Sequence, residues 1–282
     1  MPGYVEGLRA MARTDLKGRR SNTPFPPGLI LEKTGEGLTA PLSTADVKKY
    51  QSFVGSLNWA ARNCYPESSI GLSYLCSVMA EPTAEGLSAA IHAIKYLVEH
   101  PDLGIRFRRT KEPSVLCYYD ASARPDINDH KMRGGYVIYL CGGPIDWGCT
   151  KLPHVGMSSL HVEYQALCMG TKAVMHVRGV LEDMGLHEWV EGPTVMLGDN
   201  DACTQLGRER MVTPGNKWFH RDLHFSREQF DRQLICPRRI DTKLNLADPF
   251  TKPLDGPTFS SNLEQFKGYS NRDHDVPDAP RM

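Results

Sequence analysis

The chain has 282 residues, of which 40% are apolar and 23% charged. That length is enough for two small cores or one large one, and the composition fits a folded chain rather than a fibrous or low-complexity one. Its 33 basic and 33 acidic residues balance to a formal charge of zero, so a polyanionic partner would be held by local basic patches and not by a global field.

Residues 1–42 are rich in Pro, Gly, Arg and Thr, and the run Pro24-Phe-Pro-Pro-Gly reads as an extended linker with little structure of its own. The pattern then turns helical. Ser43 or Thr44 can cap a helix running through Val54 and Leu57, a second helical pattern covers Ser69 to Met79, and a third runs from Thr83 to Glu99. Residues 43–112 are therefore expected to form a small helical region. Residues 113–267 read as strand, strand, strand, helix, strand, helix, helix, strand, helix, an α/β order. Within it Cys141-Gly-Gly-Pro144 supplies a tight turn between the strands Val137 to Leu140 and Ile145 to Cys149. Residues 268–282 are polar and expected to be disordered.

Four acids stand out because they follow or interrupt apolar patterns, where an uncompensated charge is costly. Alternation places Leu116, Tyr118 and Asp120 on one strand face, and Val195, Leu197 and Asp199 on another. If these strands are parallel neighbours, both aspartates reach the crevice beyond the carboxyl edge of the sheet. Glu163 lies near the start of a helix running from Ser158 to about Met184, four residues before Leu167 on the stripe that continues through Val174, Val177, Leu181 and Met184. The fourth acid, Asp248, sits in Asn-Leu-Ala-Asp. Hard oxygen ligands of this kind suit two magnesium or manganese ions, roughly 3.5–4 Å apart, clamping an in-line phosphoryl displacement.

From Tyr50 to about Lys267 the chain resembles the C-terminal part of copia-type LTR-retrotransposon polyproteins, where reverse transcriptase ends and the ribonuclease H domain follows. The phrases that carry this resemblance are Phe53-Val-Gly-Ser-Leu-Asn-Trp, Gly135-Tyr-Val-Ile-Tyr-Leu, Ser158-Ser-Leu-His-Val-Glu-Tyr-Gln-Ala-Leu, Gly198-Asp-Asn-Asp-Ala, Leu223-His-Phe-Ser-Arg-Glu-Gln and Asn245-Leu-Ala-Asp-Pro-Phe-Thr-Lys-Pro-Leu. The resemblance implies a ribonuclease H-like mixed five-stranded sheet with flanking helices, preceded by a thumb- or connection-like helical remnant. It also implies metal-dependent cleavage of the RNA strand of RNA:DNA hybrids by Asp120, Glu163, Asp199 and Asp248, with the rest of a reverse transcriptase as a further partner. Two departures weigh on efficiency. The first motif reads Asp120-Ala-Ser-Ala where such polyproteins have Asp-Ala-Asp-Trp, and Lys131-Met-Arg-Gly-Gly-Tyr replaces a hydroxyl-rich segment. No histidine lies between Arg238 and Leu246, so proton delivery to the leaving group falls to water, Arg239 or Lys243.

Candidates for substrate contact are Asn200 and Asn245 beside catalytic acids, and the basic patch Arg106, Arg108, Arg109 and Lys111 at the domain junction, with Arg208, Arg210, Lys217 and Arg221 after the third acid. Tyr118, Tyr119 and Tyr164 flank catalytic positions, and core packing is expected for at least two of them. His220 and His224 have the spacing of a helical zinc pair, but no third ligand accompanies them. The eight cysteines form no Cys-x-x-Cys pair and read as reduced. Without an adjacent Asp-Asp pair, polymerase activity is not expected. No secretory signal or membrane-length apolar run is present, so an intracellular place, cytoplasmic or nuclear, is expected. Two other readings compete: a catalytically impaired retroelement-derived protein that binds nucleic acid, and a DNA nuclease of the same fold.

Overall fold

The structure is a computed structural model and describes residues 2–18, 20–33, 42–109, 114–122, 124–156, 158–208 and 220–267, with side chains 206–223 outside the description. The N-terminal half is helical. Helices α2 (Thr44–Asn63), α3 (Ser69–Ser77) and α4 (Ala84–Glu99) fall where the sequence pattern puts them. Ser43 Oγ accepts from Asp46 N at 3.1 Å and Thr83 Oγ1 from Gly86 N at 3.2 Å, caps that each contribute about 1 kcal/mol.

The extended linker expected at the N-terminus is corrected by a helix, α1 (Pro2–Met11), whose Val5 and Leu8 join the same core as Tyr50, Phe53, Leu57 and Leu97. Glycines at positions 3 and 7 hid it, because Gly lowers helix propensity while burial of one apolar face outweighs that cost. Pro24 to Gly28 does run outside helix and strand, with Phe25 buried against Gly71 of α3 and stacked on Tyr74.

The second half is built on a five-stranded sheet in the order β3-β2-β1-β4-β5. The strands are β1 (Leu116–Ala121), β2 (Arg133–Leu140), β3 (Gly143–Lys151), β4 (Thr194–Gly198) and β5 (Ile235–Arg239). The first three form an antiparallel meander, whereas β1, β4 and β5 run parallel. The β2–β3 turn places Cys141 and Gly142 at φ 53° and 72°, the left-handed pair that a two-residue hairpin needs. One face of the sheet, through Cys117, Tyr119 and Met196, packs on α5 (Ser159–Asp183). The opposite face, through Leu116, Tyr118, Val137 and Leu197, packs on Leu246, Phe250 and Phe266. Met184, expected on the buried stripe of α5, instead caps its C-terminus and is 66% exposed.

Helices α6 (Asp201–Arg208) and α7 (His220–Asp231) lie beside α5, and α8 (Gly256–Phe266) is the last element among the described residues. Helix α8 is shared: Phe259 lies in the helical core, Phe266 in the sheet core, and Leu263 packs against both. A boundary at residue 112 therefore separates segments of sequence but not hydrophobic cores.

Candidate active site

Asp120 and Asp199 come together because β1 and β4 are parallel neighbours with Tyr118 opposite Leu197. Asp120 stands at the carboxyl end of β1, and Asp199 follows directly on β4. The Ser158 cap starts α5 so that Glu163 falls within its first turns, above the same edge. One carboxylate oxygen from each of Asp120, Glu163 and Asp199 lies within 4.8 Å of the other two. Glu163 Oε2 is buried and has no hydrogen-bond partner.

Asp248 arrives by a different route. Asn245 pins the loop to the sheet, with Nδ2 donating to Tyr119 O at 3.1 Å and Oδ1 accepting from Ala247 N at 3.1 Å. A short 3-10 turn, Asp248–Phe250, then lies flat against β2. This close approach depends on Gly135, the register partner of Asp120, where a Cβ would meet Phe250 Cβ at 2.5 Å. From the same turn the Thr251 hydroxyl donates to Asp120 Oδ2. The Lys252 ammonium stands 3.1 Å from Asp248 Oδ1 and 3.5 Å from Asp120 Oδ2.

The electrostatics follow from burial and crowding. Burial first, then the charges of Asp120 and Asp199, push Glu163 up to about 9. Asp120 is pushed up to about 7, again chiefly by burial, with the Lys252 charge and the Thr251 hydroxyl opposing the rise. Burial disfavours the Lys252 charge, but Asp120 and Asp248 outweigh it and raise its pKa. Carboxylates so placed keep protons unless a cation replaces them. The donor set, all carboxylate oxygen with one buried oxygen unpaired, fits a hard divalent ion such as magnesium or manganese.

The other sequence candidates divide. Asn200, next to Asp199, caps α6 through Oδ1, which accepts from Cys203 N at 2.9 Å. Asn245 is 3% exposed and its amide is engaged with the backbone, so it holds the Asp248 loop and does not face substrate. Arg239, opposite Gly198, and Lys243 are exposed near the acid edge. Arg106 and Arg108 are not near it. Their backbone N–H groups donate to Lys267 O and Cys141 O, and Cys141 marks the opposite end of β1 from Asp120. Lys111, Arg210 and Lys217 lie outside the described residues, as do the side chains of Arg208, His220 and Arg221. Tyr118, Tyr119 and Tyr164 are all buried in the core.

Thr251 and Lys252 were not singled out by sequence reasoning. Their signal was the spacing of three and four residues after Asp248, which on a helical turn returns a side chain to the same face. Arg133 was also missed. It pairs with Asp126 at 2.7 Å, donates to Ser73 Oγ of α3 and covers the Tyr74 ring, tying α3 to β2. Burial would raise Asp126, but hydrogen bonds from Asn128, Arg133 and Lys151 hold it at about 2. The described cysteines are free, and no described helix is long and apolar enough to cross a membrane.

A mixed sheet ordered 3-2-1-4-5, a helix from β3 to β4 and acids gathered at the carboxyl edge of β1 and β4 define a ribonuclease H-like α/β protein. The chain's relatives are retrovirus-related Pol polyproteins of copia-type transposons, similar over most of its length. It is 29% identical over 90% of its length to the Pol polyprotein from transposon RE1 of Arabidopsis thaliana, and 26% identical over 88% to that from transposon TNT 1-94 of Nicotiana tabacum. It covers only 17% and 18% of those two polyproteins. No family model matches. Among solved structures, the N-terminal RNase H domain of a Mycobacterium tuberculosis protein superposes at a TM-score of 0.35 with 14% identity, covering 54% of this chain and 97% of that one. The foamy viral protease-reverse transcriptase in complex with dsDNA superposes at 0.37 with 16% identity, covering 73% and 40%. The fold assignment rests on strand order, not on these loose superpositions.

Proposed function

We propose that this chain hydrolyses the RNA strand of RNA:DNA hybrids during retroelement reverse transcription, using two magnesium or manganese ions held by Asp120, Glu163, Asp199 and Asp248. The observation that carries the reading is the convergence of three carboxylates from a parallel strand pair and a helix, one of them with a buried unpaired oxygen. Bound ions would supply charge neutralisation at the scissile phosphate and a nucleophilic water near neutral pH. Asp120, Glu163 and Asp199 would hold one ion, and Asp120 with Asp248 would hold the other on the side of the 3-10 turn. Thr251 orients Asp120 by donating to it, which fixes the carboxylate without neutralising it. Water or Lys243 would deliver a proton to the leaving oxygen, and the Arg239 charge beside the acid edge would stabilise it. Duplex recognition would read minor-groove shape and 2′-hydroxyls rather than sequence.

The test is cleavage of an end-labelled RNA:DNA hybrid by the full chain, with a DNA duplex as control. Cleavage of the RNA strand that needs magnesium or manganese, stops on chelation and disappears in Asp199→Asn is expected. Tight hybrid binding without cleavage would favour the impaired, binding-only reading, and cutting of the DNA duplex would favour a DNA nuclease.

A further inference from the structure

The four acids do not share one environment. Asp120, Glu163 and Asp199 form a compact triad, whereas Asp248 reaches Asp120 through Lys252, whose ammonium lies within 3.5 Å of an oxygen on each. A second divalent ion held by Asp248 would share it with Asp120, the acid that Lys252 already joins to it. That position already carries a positive charge supplied by the chain itself. Geometry makes the contact a built one: Asp248 and Lys252 are four residues apart on one turn, Gly135 lets the turn lie on β2, and Thr251 ties it to Asp120. Yet the Lys252 side chain is 42% exposed, so unlike a sealed lysine it has room to leave.

We propose that Lys252 is a resident cation at the second-ion position, between Asp120 and Asp248, and that the second divalent ion binds only by displacing it. The inference rests on the nuclease reading above and adds the step that sets the ion requirement. Lys252 relieves the repulsion between Asp120 and Asp248 before that ion arrives, and competes with the ion for the same oxygens. The chain should therefore show one tight and one weak class of divalent-ion site.

The test is titration of the full chain with manganese, read by the electron paramagnetic resonance of the free ion, in the parent, Lys252→Met and Lys252→Arg. In Lys252→Met the weak class should tighten by roughly tenfold or more, since a unit positive charge a few ångströms from the incoming ion has been removed. Lys252→Arg should stay close to the parent. A second readout is thermal unfolding in chelator, where Lys252→Met should melt below the parent and regain the loss when manganese is added. Lys252→Gln serves in the same assays if the methionine variant does not fold. Equal manganese affinities in the parent and the neutral variants would overturn the role of Lys252 while leaving the nuclease reading standing. A parent that takes up no manganese, with Asp199→Asn indistinguishable from it, would overturn both.

Discussion

Two of the places where the molecule buries carboxylates treat them differently. Where the helical region meets the end of α8, Glu67 and Lys267 form an ion pair at 2.7 Å with both side chains fully buried. The Lys267 ammonium also donates to Leu103 O and lies over the Tyr65 ring, so one charge meets one charge in a closed box. At the carboxyl edge of the sheet, beside the acids Asp120, Glu163, Asp199 and Asp248, the described ion pairs involve one half-exposed lysine, Lys252. The first arrangement balances one charge with one charge and serves to hold the structure together. The second carries more negative charge than the described neighbours neutralise, and such an excess is stable only when protons or imported cations fill it.

The largest effect that would separate the two places is on catalysis. Asp199→Asn should lower hybrid cleavage by at least about a hundredfold, since the loss of even an outer-shell partner of a bound metal can cost that much. Glu67→Gln should leave the rate per folded molecule near that of the parent. Single-turnover cleavage of a labelled hybrid measures both, and equal losses would erase the distinction.

Stability should show the reverse ranking. Glu67→Ala leaves the Lys267 charge buried without its partner and should cost about 3–5 kcal/mol in urea unfolding, whereas replacing both partners by methionine should cost far less. A fragment beginning near residue 112 loses Glu67 but keeps Lys267, and should be destabilised to a similar extent. Were that fragment as stable as the full chain, the shared role of α8 would be wrong.

A third comparison uses pH. In the unfolded chain Asp120 and Glu163 titrate near their ordinary 3.8 and 4.5, but in the folded chain they hold protons to about 7 and about 9. The folded state therefore binds more protons between these values, and stability falls as pH rises through that window. In chelator the melting temperature should decline from roughly pH 5 to 9, and saturating magnesium should flatten the decline by replacing the protons. An identical decline with and without magnesium would mean that the acids hold no ion.

The smallest effect concerns substrate grip. Arg239→Glu together with Lys243→Glu, at the acid edge, should weaken hybrid binding and reduce its salt slope by about one for each phosphate no longer neutralised. Reversal of Arg106 and Arg109, at the far end of β1, should change both much less. The opposite ranking would place the duplex across the helical region.

The sequence by itself determined the order of elements after residue 42 and where the acids stand on them. Apolar alternation ending in Asp120 and Asp199, the Ser158 cap before Glu163 and the Cys141–Gly142 turn are local signals that tertiary packing did not override. Ser43 and Thr83 likewise marked their helices correctly, because a cap satisfies backbone donors of its own first turn. Helix α1 was not legible, since its Gly-containing turns are held by packing on the distant α4 and not by propensity. Asn245 looked like a substrate ligand because it neighbours Asp248, and only the fold revealed that its amide is engaged by Tyr119 O. The pairing of Lys252 with Asp120, of Lys267 with Glu67, and the distance of Arg106 from the acids were also decided by tertiary structure alone. Each joins residues far apart in the chain, and hydrophobic periodicity specifies which face of an element is buried but not which charge from another element will meet it there.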